Sequence, residues 1–123
     1  MLTSGSIVAF LSTTNGERSR DFYQRALGLR FVSDDEFALV FDAHGTMLRI
    51  QKVTDAVVAP YTALGWAVPD VAEVVRALRD RGVVFEKYSF LEQDALSIWT
   101  SPSGARVAWF KDPEGHVLSV TQR

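Results

Sequence analysis

Asp112-Pro113-Glu114-Gly115 decides the fold, because the same punctuation occurs twice. Asp, then Pro, then Gly at the fourth place is type I turn chemistry. Here it separates two apolar runs, Ala105–Lys111 and Val117–Thr121. Asp42-Ala43-His44-Gly45 stands in the first half of the chain, between the expected strands Glu36–Phe41 and Thr46–Lys52. Upstream of each pair lies a glycine that closes a helix. Gly28 follows Phe22, Tyr23, Ala26 and Leu27, and Gly82 follows Val71, Val74, Val75 and Leu78. Both sets keep helical spacing, and glycine is favoured just past a helix C-terminus.

The halves superpose in order. Gly28 and Phe31 recur as Gly82 and Phe85 at one shared offset, while Asp42 and Gly45 recur as Asp112 and Gly115 at a second, larger one. The extra length falls around Ser89–Ser101, which reads as one insertion in the second half. An ordered series of cap, strand and turn matches is the signature of duplication. Each half reads βαβββ. The first has strands at Ile7–Leu11 and Arg30–Ser33 besides the two above, and its helix runs from a Thr14…Glu17 capping box to Leu27. The second has strands at Leu64–Val68 and Val83–Lys87, with Leu96–Thr100 as a further candidate. Asp70 caps its helix, and Ser101-Pro-Ser-Gly104 makes another turn. The expected fold class is therefore α+β, with two tandem βαβββ modules at about 6–53 and 62–122 in one domain of 123 residues.

Composition narrows the function classes. A net charge of −2, with no run of Lys or Arg longer than two, offers no basic stripe for nucleic acid or an anionic membrane. No apolar stretch approaches the roughly 20 residues that span a bilayer, and Met1-Leu-Thr-Ser-Gly5 lacks the pattern of a secretion signal. The absence of cysteine removes disulfides and thiolate metal sites. A cytoplasmic protein is the expectation.

Two motifs carry a family resemblance. Phe22-Tyr23 with Gly28-Leu29, and Trp109-Phe-Lys-Asp-Pro-Glu-Gly-His116, resemble signatures of glyoxalase, bleomycin-resistance and extradiol-dioxygenase relatives, the vicinal oxygen chelate superfamily. The resemblance runs from Ile7 to Gln122. It implies two four-stranded mixed sheets cupped around a cavity, helices on their outer faces, and a homodimer. In metal-bearing relatives the ligands sit on the first and last strands of each module. Those positions map here to Val8, Arg49, Ala63 and Ser119, the last a place where such relatives carry Glu. One hydroxyl cannot replace the imidazoles and carboxylates that zinc or a harder cation requires. No metal and no other cofactor is expected.

The candidate ligand-binding residues follow from strand alternation. Leu48 and Ile50 should face the helix, which sends Arg49 toward the cup beside Val8, Phe10 and Met47. A buried guanidinium must be paired. Either it meets Glu36, Asp34 or Glu92 internally, or it is kept for an anionic ligand, unless the strand register is shifted. In the fifth strand Leu64, Trp66 and Val68 should lie under the helix, leaving the small Ala63, Gly65 and Ala67 to line the cup with Ser119. Trp99 and Trp109 border its mouth, as core or as a wall for a small molecule. Asp42, Asp112 and His116 read as turn residues, His44 as an exposed turn tip, and Arg18, Arg20, Arg76 and Arg79 as a solvated face. No catalytic residue is assigned.

The expected function is metal-independent binding of a small organic molecule, with sequestration of a toxic or anionic compound as the role. The alternatives are a glyoxalase- or dioxygenase-like enzyme with an atypical site, and a dimeric regulatory module with a vestigial cavity.

Overall fold

In the computed structural model, which describes Met1–Arg123, the backbone forms two four-stranded mixed sheets, each confined to its own compact unit. The units are Met1–Val57 and Val58–Arg123.

In the first unit, β1 (Val8–Thr13) leads through α1 (Gly16–Asp21) and a π-helical turn at Phe22–Ala26 into β2 (Arg30–Asp34), β3 (Ala38–Ala43) and β4 (Thr46–Lys52). The sheet order is β1-β4-β3-β2, with β1 parallel to β4 and the other pairs antiparallel. The helix begins one residue later than the capping box predicts. Asn15, not Thr14, is the cap, its side chain accepting from the Arg18 N–H at 3.1 Å. The preceding Thr13 hydroxyl, buried against Ser19 at 2.7 Å, accepts from the Asn15 N–H and so turns the chain one position further on. The π turn returns Leu27 N–H to the Phe22 carbonyl, and Gly28 closes the helix at φ 73°. Tyr23 thereby reaches the sheet, 5.9 Å from the Phe41 ring between centroids. Leu11, Leu39, Phe41, Leu48 and Ile50 complete that buried face.

The predicted start of β3 at Glu36 is displaced to Ala38. The Asp35 carboxylate accepts from the N–H groups of Phe37 and Ala38, which holds those residues in the β2–β3 turn.

The second unit repeats the plan with β5 (Thr62–Ala67), α2 (Val71–Asp80), β6 (Trp99–Thr100), β7 (Arg106–Lys111) and β8 (Val117–Gln122), ordered β5-β8-β7-β6. Asp70 caps α2, accepting from the Glu73 N–H at 3.1 Å, as expected. The helix packs Val71, Val75 and Leu78 against β7 and β8. Trp66, placed by alternation under this helix, is only half-buried.

Val83–Lys87 is not a strand. Only Phe85 makes a bridge, to Phe110, and beyond it the Gln93 side chain takes over the pairing. Its amide donates to the carbonyls of Glu86 and Ser97 and accepts from the Tyr88 N–H. The candidate strand Leu96–Thr100 shrinks to two residues, because Ser97 adopts φ 65°, outside extended geometry.

The two turns that residue counting equates also differ. Ala43 pairs with Thr46, leaving a two-residue hairpin turn at His44-Gly45 with φ 51° and 92°. Both positive values are what a type I′ turn needs. Lys111 pairs with Val117, so the second loop is longer. In it the Asp112 carboxylate accepts from the N–H groups of Glu114, Gly115 and His116 at 2.9–3.0 Å.

Candidate functional site

Each sheet has one face under its helix and one without. In the first unit the register aligns Phe10, Arg49, Val40 and Ser33 across the open face, with Val8, Met47, Asp42 and Arg30 in the next row. Val8, Phe10 and Met47 are 39%, 55% and 43% exposed, an unusual concentration of uncovered apolar surface. Arg49 is half-buried among them. The pairing sets Arg49 on the face opposite the buried Leu48 and Ile50, as alternation predicts, and no carboxylate lies within ion-pairing distance of it, so the internal pair is not formed. Of the expected partners, Asp34 is held by Lys52 at 2.5 Å, Glu36 is exposed, and Glu92 belongs to the second unit. Arg49 acts only at longer range. It adds to the Phe37 and Ala38 N–H groups, the larger cause, in holding the Asp35 carboxyl below the usual range. Arg30 and Asp42 neutralise each other at 3.6 Å.

In the second unit the open face carries Gly65, Ser119 and Trp109 in one row, and Ala67, Thr121, Val107 and Trp99 in the next. Ala63 is not part of the row. It is the extra residue of a bulge: Thr62 pairs with Val117 and Leu64 with the very next residue, Leu118. Thr62 takes the place instead, its hydroxyl accepting from the Trp109 indole N–H at 3.1 Å. Trp99 and Trp109 stand 6.0 Å apart, inclined at 35°. Sequence reasoning missed Tyr88 and Phe90, which extend this wall: Tyr88 meets Trp109 edge-on at 5.6 Å and lies 5.5 Å from Phe90 at a tilt of 34°. Aromatic rings two residues apart beside an insertion were the available signal. Burial, with help from the Glu86 carboxylate, pushes the Tyr88 phenol up.

Metal chemistry finds no donors at the family's positions. Val8, Arg49 and Ser119, with Thr62 or Ala63, offer hydroxyls and a cation, and no three His, Cys, Asp or Glu side chains come close enough to hold an ion. His44 is exposed at its hairpin tip, whereas His116 is buried behind the Asp112 turn. No helix is long and apolar enough to cross a membrane.

Comparison with known proteins agrees with this architecture. A member of the glyoxalase/bleomycin resistance protein/dioxygenase superfamily from Sphaerobacter thermophilus superposes with a TM-score of 0.77 over 100% of both chains, at 21% identity. A putative glyoxalase family protein from Bacillus anthracis gives 0.77 at 13% identity, covering 97% of this chain and 94% of its own. Lactoylglutathione lyase from Agrobacterium tumefaciens gives 0.71 at 16% identity, covering 96% and 93%. At such identities the likeness is one of fold. No curated protein matches significantly. The profile of the Glyoxalase/Bleomycin resistance protein/Dioxygenase superfamily, however, matches residues 6–120, nearly the whole chain. The protein belongs to that superfamily.

Proposed function

We propose that this chain binds a small anionic organic molecule without a metal, and that holding such a compound is its role. The observation that supports the reading is Arg49: a half-buried guanidinium with no carboxylate partner, set among Val8, Phe10, Val40 and Met47. Removing such a cation from water costs free energy unless an anion accompanies it. A carboxylate or phosphate on an apolar body meets both requirements, since the guanidinium fork binds such groups through two parallel hydrogen bonds. In this reading the two units serve one cytoplasmic domain, and a second copy of the chain covers part of the exposed apolar surface. Fold membership alone would not carry a function.

Calorimetric titration with 2-naphthoate and its neutral isostere 2-naphthamide tests the proposal. The carboxylate should bind at least tenfold more tightly. Equal binding of the two would remove the role given to Arg49.

A further inference from the structure

We infer that the open face of the second unit binds a planar, uncharged aromatic molecule bearing a hydroxyl or carbonyl group, stacked against Trp109 and hydrogen-bonded to Ser119. This goes beyond the anion-binding reading and does not depend on Arg49.

Ser119 is the unusual residue. It is only 7% exposed, yet its hydroxyl makes no hydrogen bond within the chain. Every fully enclosed side-chain polar atom in the structure has a partner, so the Ser119 oxygen must open onto the face. A nearly buried hydroxyl left in this way can complete its bonding only with something that comes to that face. Gly65 keeps the hydroxyl there. A Cβ at residue 65 would lie 2.5 Å from the Ser119 oxygen and force it aside.

Trp109 lies directly opposite Ser119 in the β7–β8 pair. Its indole N–H is already committed to Thr62, which fixes the ring and leaves its π surface as what it offers. Trp99 flanks it at 35° and Tyr88 stands at 79°, so flat and edge surfaces are both supplied. The flanking Ala67, Val107 and Thr121 are uncharged, and Lys111 faces Glu86 at 3.7 Å. The chemistry on this face therefore suits a neutral ring with one polar substituent.

The probe pair is 2-naphthol and naphthalene, followed through the Trp109 indole N–H resonance of the intact chain. Wild type should give a saturable shift with 2-naphthol and a weaker one with naphthalene. Ser119→Ala should reduce 2-naphthol affinity about 3–10-fold, the usual worth of one hydrogen bond, and leave naphthalene unchanged. Gly65→Ala should produce a similar loss by displacing the hydroxyl. Arg49→Met should change neither, which separates this site from the anion site. Absence of a saturable Trp109 shift, or undiminished 2-naphthol binding by Ser119→Ala, would overturn the inference, as would a loss caused by Arg49→Met.

Discussion

Lys52 holds Asp34, its Nζ donating to the Asp34 carboxylate at 2.5 Å and to the Asp35 carbonyl at 2.6 Å. Arg49, three residues earlier on the same strand, lies on the opposite, open face, aligned with Phe10 and Val40. There it has apolar neighbours and only a long-range interaction with Asp35.

Asp112 and Asp42 should respond very differently to removal. Asp112→Ala strips the acceptor from three backbone N–H groups in a loop where Asp112 is 5% exposed, and should cost about 2–3 kcal/mol. Asp42→Ala loses only an ion pair with the exposed Arg30, worth less than about 1 kcal/mol. Chemical denaturation of the two variants checks this; equal losses would mean that the turns are equivalent after all.

Acid should weaken the β2–β3 turn. The folded Asp35 carboxyl lies below the ordinary value, chiefly because it accepts from Phe37 and Ala38. Its contribution is complete above the unfolded pKa and is lost as pH falls through the folded one. Asp35→Asn should therefore flatten the stability profile in the acid range while leaving its shape near neutrality unchanged. An identical acid limb in variant and parent would remove Asp35 from that role.

How far these features were legible depends on the range of the interactions behind them. Asp70, Gly28 and the Asp112–Gly115 turn are set by hydrogen bonds within a few residues, and their residue types announce them. Arg49's face followed from alternation against Leu48 and Ile50. The losses came from side chains acting as backbone. Gln93 substitutes for a strand partner of Glu86 and Tyr88, and Thr13 shifts the cap to Asn15; neither has a signature in spacing. The bulge that leaves Ala63 unpaired and brings Thr62 level with Val117 likewise has no signature in spacing. The vacant bonding capacity of Ser119 depends on Gly65, its neighbour across the sheet but remote from it along the chain.

Metal content should be far below one ion per chain in protein purified without chelator. Adding chelator should leave the melting temperature in place, since a resident ion would stabilise the fold by linkage. A stoichiometric zinc, nickel, iron or manganese ion whose removal lowers that temperature would contradict the mapping of the family's ligand positions to Val8, Arg49, Ala63 and Ser119.

Assembly should be dimeric. Phe10 and Phe37 are 55% and 67% exposed, and open sheet edges bordered by such residues favour association. Light scattering at micromolar concentration should report twice the mass of the 13.7 kDa chain. A monomer under those conditions would refute this.

Arg49→Met tests the central claim most directly, because it keeps much of the volume and removes only the charge. The measurement is 2-naphthoate affinity and chemical denaturation on the same preparation. The account predicts that anion binding falls at least tenfold, while stability stays within about 0.5 kcal/mol of the parent or rises. A stability loss of about 3–5 kcal/mol would reveal a buried carboxylate abandoned by the substitution. That result, or undiminished binding of the anion, would contradict the account.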